Sequence, residues 1–301
     1  MTLRHALKTA LRGLKRNRSR TVLTVLGIVI GITSIIIVMS LGAGAQDLIL
    51  GQIQGLGTRT IAVIPGREPT GPSDAAQIFS DSLKEKDLEA LKRTSNVPEL
   101  STIMPVVFGG ETSAYGSETY RLTIFGASDL IAKMFDITLS DGRFFSDDEI
   151  KARADVVVIG SKVRDELFGG SSPIGEKIKI KNRNFRVIGL LAKKGQVSFF
   201  NFDEMALVPY TTAQQYIFGI KYYHRFIVEA ASEEAIPRTV RDIEATLRES
   251  HNITDPDKDD FFVETQADIA ERLGTITDVL TLFLASVAAI SLLVGGIGIM
   301  N

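Results

Sequence analysis

Few residues of this 301-residue chain combine the types and spacing that chemistry requires. The stretch Gly170–Lys177, GSSPIGEK, approaches the G-x-x-x-x-G-K-[ST] pattern, in which backbone N–H groups and a lysine converge on phosphate between a strand and a helix. Glu176 stands where the lysine belongs and repels phosphate, and the residues after it alternate as a strand. The glycines and Pro173 therefore predict a turn, not a nucleotide site. His5, His224 and His251 have no second ligand at metal-type spacing and read as lone, solvated histidines. The acidic runs Asp147–Glu149 and Asp255–Asp260 lack the glycine-punctuated loop of a calcium site and read as solvated loops. No Ser–His–Asp or Cys–His arrangement is evident. The sequence thus predicts no catalytic residue, no cofactor, no metal and no nucleic-acid partner.

The elements that frame these residues are more informative. Thr21–Gln46 is 26 residues without a charge, and Val279–Asn301 is a second such run of 23. As a helix the first extends ~39 Å against a hydrocarbon core of about 30 Å, so both are expected to span a membrane. Of 34 basic residues, seven precede Thr21, where there is no acidic residue. That leaves 27 against all 36 acidic ones in residues 47–278, a net charge of −9. Basic flanks stay in the cytoplasm. The expected topology is a cytoplasmic segment 1–20, a first transmembrane helix 21–46, an extracytoplasmic domain 47–278 and a second helix 279–301. A cleaved signal peptide ending at Ala43–Ala45 is the alternative, but its apolar core should be 7–15 residues, shorter than this run.

Within residues 1–20, Leu3, Ala6, Leu7, Ala10, Leu11 and Leu14 share one helical face, with Arg4, Lys8, Arg12 and Lys15 elsewhere. This basic amphipathic helix suits an anionic inner leaflet or a cytoplasmic partner. Gly27 and Gly31 form GxxxG, and Ala285, Ala289 and Gly296 recur on one face of the second helix. Small residues at this spacing are expected to pack helices in lipid. The chain has no cysteine, so the outer domain must be stabilised by its own core. Its segments alternate between strand and helix. They predict an α+β fold between two transmembrane α-helices: a split βαββ…βαβ lobe from residues 58–127 and 224–268, with a β-rich lobe 128–223 inserted. Ser82, three residues before Glu85, is the expected start of a helix reaching Arg93.

NRSRTVLTVLGIVIGITSIIIVMSLGAG, DGRFF (Asp141–Phe145), DVVVIG (Asp155–Gly160), LFGGSSPIGEKIKI, FRVIGLL and ISLLVGGIGIMN occur in an order and spacing similar to MacB-type ABC transporter permeases. The likeness covers essentially the whole chain. It implies a porter-like lobe with an inserted β-rich lobe, and a dimer with a second permease copy. It also implies a cytoplasmic ABC ATPase as partner and, in many members, a periplasmic adaptor. In such a permease, mechanotransmission carries ATP-driven closure to the outer domain. The pattern has two further helices after GGIGIMN, so the chain reads as an amino-terminal fragment. No ATPase is fused to it, which places ATP hydrolysis on a separate chain. Two other readings stay open: a non-transporting regulatory relative that signals to cell-wall hydrolases, and a two-helix membrane sensor with an outer ligand-binding domain.

Overall fold

The computed structural model of the protein describes residues 5, 18–54, 58–68, 80–197 and 200–300. They divide into two compact units, Met1–Leu50 with Ile269–Asn301, and Gly51–Asp268.

The first unit contains most of helix α1 (Arg18–Gln54) and of the last helix, Gln266–Met300. Val25–Gly44 within α1 is long and apolar enough to cross a membrane. None of it is buried, and Val25, Ile30, Ile36 and Leu41 lie exposed along it. A row of apolar side chains this long is the kind of surface that lipid or another protein covers.

The second unit is organised by one long strand. It holds β1 (Thr60–Pro65), α2 (Glu85–Leu91), β2 (Leu100–Tyr115) and β3 (Glu118–Ala127). Next come α3 (Ile131–Met134), β4 (Leu139–Gly142), α4 (Asp147–Lys151), β5 (Val156–Ile159), α5 (Ser161–Phe168), β6 (Lys177–Ile180) and β7 (Arg183–Leu191). After the short pair β8 (Gln196–Val197) and β9 (Phe200–Asn201) follow β10 (Met205–Pro209), α6 (Tyr210–Thr212), β11 (Arg225–Ala230), α7 (Ile236–His251), β12 (Phe261–Thr265) and α8 (Gln266–Met300). The first part of β2, up to Val106, completes an antiparallel sheet of order β12-β1-β11-β2. From Val107 onward β2 pairs with β3 instead. From there the sheet runs β3-β10-β5-β7, with β4 on the free edge of β7. β6 pairs with both β7 and β2, which closes β2, β3, β10, β5, β7 and β6 into a ring.

The hairpin of β6 and β7 follows the alternation in its sequence: Lys177 and Lys179 are exposed, Ile178 and Ile180 buried. β5 is buried on both faces because each face enters a core. Val157 and Ile159 join the core that runs through the ring and under the antiparallel sheet. Val156 and Val158 face a second core with Phe125, Phe135, Phe145 and Phe202. β3, which the sequence grouped with the split lobe, is hydrogen-bonded to β10 of the inserted segment. One strand, β2, thus serves both sheets.

α2 begins at Glu85, not Ser82. The Asp87 carboxylate accepts the Lys84 N–H at 2.8 Å, while Glu85 receives the hydroxyl of the buried Tyr223. A buried partner far along the chain thus draws Glu85 away from the local capping role that its spacing suggested.

Candidate coupling site

The residues singled out for chemistry turn out to be scaffolding. Gly170–Lys177 follows a helix and precedes a strand, the reverse of a phosphate loop. The Gly175 N–H is bonded to the Val187 carbonyl at 2.8 Å, and Glu176 accepts the Tyr115 hydroxyl at 3.0 Å. Asp147–Glu149 is the first turn of α4, capped by Ser146. Glu149 forms a two-pronged pair with Arg143, 2.7 Å on each arm. That pairing outweighs partial burial and holds the Glu149 carboxyl down at about 2.

DGRFF itself resolves into separate structural tasks. Gly142 has φ +79° and passes so close to β7 that a Cβ would lie 2.3 Å from the Ile188 carbonyl oxygen. Arg143 braces α4, and Phe145 is buried in the second core.

The histidines correct the sequence reading. His5 is exposed, but His224 is half-buried and its Nδ1 accepts the Phe108 N–H at 2.9 Å. Burial lowers its pKa, so it serves as a neutral acceptor. His251 has only 6% of its side chain exposed, between the carboxylates of Asp87 and Asp260. The Asp255–Asp260 run is likewise no simple solvated loop: Asp255 caps a 3-10 turn, Asp259 holds Arg248 at 2.7 Å, and Asp260 holds His251. Among the described residues, no group of acidic or histidine side chains is placed to hold a metal ion.

A further feature lies where β12 becomes α8. Thr265 ends the strand and Gln266 begins the helix, with no loop between them. Asp268 closes the joint: its Oδ2 accepts both the Thr265 N–H (2.8 Å) and hydroxyl (2.7 Å), and its own N–H lies 3.2 Å from Thr265 Oγ1. This reciprocal cap satisfies helix-start donors and places a carboxylate at the positive end of the helix dipole. Farther along, the hydroxyls of Thr275, Thr277, Thr281 and Ser286 each donate to the carbonyl four residues earlier, leaving no unpaired donor on that stretch.

The expected packing residues are placed variously. Gly27 is exposed with nothing within 4 Å of a Cβ, and Gly31 is half-buried. Ala285 and Ala289 are exposed, and Gly296 has its helical backbone described but not its surroundings. Between α1 and α8, an approach at Gly42 brings Thr277 Cγ2 within 3.9 Å of where a Cβ would stand. The small-residue run Gly42–Ala45 was the sequence signal for it. Arg4, Lys8, Arg12 and Lys15 lie outside the described residues.

The chain thus joins a helix long and apolar enough to cross a membrane to a domain of two sheets. Residues 21–246 match the family model of the MacB-like periplasmic core domain, and the chain belongs to that family. It is 34% identical over 303 residues to the macrolide export ATP-binding/permease protein MacB of Wolinella succinogenes, covering all of this chain and 45% of that one. It is 32% identical to the pyoverdine export ATP-binding/permease protein PvdT of Pseudomonas aeruginosa, over 99% of this chain and 43% of that one. The chain thus spans less than half the length of these curated relatives, which are named for an ATP-binding and a permease part together. The fold matches the periplasmic region of MacB from Actinobacillus actinomycetemcomitans, with TM-score 0.63 and 21% identity over 75% of this chain and 97% of that one. It also matches the extracellular domain of the noncanonic ABC-type transporter YknZ from Gram-positive bacteria, with TM-score 0.55 and 21% identity over 68% and 100%.

Proposed function

We propose that this chain belongs to the permease part of an ABC-type exporter, as its amino-terminal half, and that ATP hydrolysis by an ABC ATPase outside residues 1–301 drives movement of the extracytoplasmic domain. The observation that carries this reading is the loop-free, doubly bonded joint between β12 and α8. β12 is held to β1 from Phe261 to Thr265, so displacement of the helix start has no slack linker in which to dissipate. Export is favoured over a signalling relative or a ligand sensor because relatives at 32–34% identity are named for macrolide and pyoverdine export.

In this proposal residues 279–301 form a second span, residues 1–20 lie on the cytoplasmic leaflet with Arg4, Lys8, Arg12 and Lys15 toward lipid headgroups, and residues 47–278 are outside. A reporter fused near Gly170 is then expected to be active only outside the cytoplasm; cytoplasmic activity there would reverse the topology. Gly27 and Gly31 offer a flat strip on α1 that a second permease copy covers, with Ala285, Ala289 and Gly296 playing the same part on α8. A periplasmic adaptor completes the assembly in cells that have an outer membrane.

The coupling claim is tested by inserting Gly-Gly-Ser between Thr265 and Gln266 of the full-length permease. Export of cargo should fall while ATP hydrolysis continues, since the drive is intact and its transmission is not. The same insertion after Gly116, at the exposed β2–β3 turn, should leave export unchanged. Equal export from both variants removes the loop-free joint from the mechanism.

A further inference from the structure

We propose that His251 is a proton-operated latch, holding the entry of β12 against α2 and α7 when protonated and releasing it when neutral. His251 is the last residue of α7, and its ring is packed edge-on to Phe261, with centroids 5.8 Å apart. Nδ1 lies 2.6 Å from Asp260 Oδ1, and Nε2 lies 3.1 Å from Asp87 Oδ2, at ion-pair distance without hydrogen-bond alignment. Asp87 belongs to α2 and is fully buried, while Asp260 immediately precedes β12.

The other charged groups at this junction are already engaged. Lys86 of α2 donates to the Ser250 carbonyl at 2.6 Å. Arg248 of α7 is paired with Asp259 and Glu244. The Asp87 carboxylate also takes the Ser250 hydroxyl and the Lys84 N–H.

An imidazolium carries its positive charge between the two carboxylates, with Nδ1–H donating to Asp260 and Nε2–H held toward Asp87 at ion-pair distance. A neutral imidazole has one N–H, so its remaining lone pair faces a carboxylate oxygen at close range. One contact must then break. Asp87 is fully buried and cannot reach water, whereas the Asp260 side chain is 49% exposed and can turn outward. Release therefore occurs at the Asp260 side, which is the entry of the strand that leads into α8.

The pH window follows from the neighbours. Asp87 raises the His251 pKa above its ordinary 6.5, burial opposes this, and Asp260 adds to the rise. The stabilisation is complete below the unfolded value and is lost as pH rises through the raised one. For Asp87, burial pushes its pKa up, but His251, Ser250 and the Lys84 N–H together bring it below 3.8. Its contribution is present above that ordinary value and is lost as pH falls through the lowered one. The latch is closed in mildly acidic medium and opens on the alkaline side. In an extracytoplasmic domain, a placement that rests on the proposed topology, it reports the pH of the surroundings.

Hydrogen exchange on the whole chain in lipid nanodiscs at pH 6 and pH 8.5, corrected for intrinsic exchange, tests this. Amides of residues 255–263 should lose protection at the higher pH, by about tenfold for each unit by which the folded pKa exceeds the unfolded one. α2 should stay protected. The ring signal of His251, one of three histidines, should titrate above 6.5. In His251→Gln the pH dependence at 255–263 should vanish. Should that variant fail to fold, Asp260→Asn must abolish the same dependence, since its amide can meet either ring form. Protection at 255–263 that ignores pH, or a pH response that survives in a folded variant, overturns the latch.

Discussion

Gly160→Ala is expected to destabilise the outer domain by about 3 kcal/mol, at the upper end of overpacking costs. Gly160→Val should prevent folding. A Cβ at this position would lie 2.3 Å from the carbonyl oxygens of both Phe202 and Asp203. These are backbone atoms of a turn whose Phe202 ring is fully buried, so neither rotates away as a side chain tip would. The glycine is pinned on its own side as well: its N–H donates to the Met205 carbonyl at 2.8 Å, and its carbonyl receives the Arg164 N–H at the start of α5. Relief requires β5 and β10 to separate. Gly110→Ala is the control, because its Cβ meets only the tip of Arg121, at 3.5 Å, and should change stability by under ~0.5 kcal/mol. Thermal and urea unfolding measure both. Equal stabilities for the two alanine variants would mean that β5 and β10 can part without cost.

Gly160 closes DVVVIG, and it illustrates why the family resemblance is legible while most of the site is not. The resemblance lies in packing: Gly142 under β7, Gly160 against the 202–204 turn, Phe145 in the second core. Such positions leave local traces, an apolar run or a glycine at a strand end, that a sequence can display. The lysine–isoleucine alternation of β6 is equally local and predicts its own burial.

His251 leaves no such trace. Asp87 lies at the other end of the domain's sequence, 163 positions before the neighbouring Ser250, and only the docking of α2 on α7 brings them together. The same holds for Glu85, whose local spacing suggested a cap while Tyr223 claimed it. The Thr265–Asp268 cap was available as a T-x-x-D pattern before an apolar run. The 13-residue stretch from Gln266 to Asp278, with its charges, separated it from the charge-free run that follows and concealed that both belong to one helix.

Phe125→Ala and Phe226→Ala should each lower the melting temperature of the same single transition, although the two rings sit in different cores. Both are fully buried. Phe125, in β3, meets Phe108, Phe135 and Phe200 with ring centroids 4.9–6.4 Å apart. Phe226, in β11, packs on Tyr223 at 5.2 Å in the core beneath the antiparallel sheet. Truncation of such a ring costs roughly 3–5 kcal/mol. In a domain of this size that corresponds to a fall of roughly 6–20 °C.

The shared transition follows from β2. Its first half is the edge partner of β11 and its second half the partner of β3 and β6, so loss of either sheet deprives the other of a strand. The core through the ring also continues under the antiparallel sheet without a break. Two independent lobes would behave otherwise: Phe125→Ala would shift one calorimetric peak and leave a second, untouched by it, for Phe226→Ala to move. Two separable peaks would mean that β2 bends as a hinge between autonomous halves, and that force entering at β12 need not reach the ring.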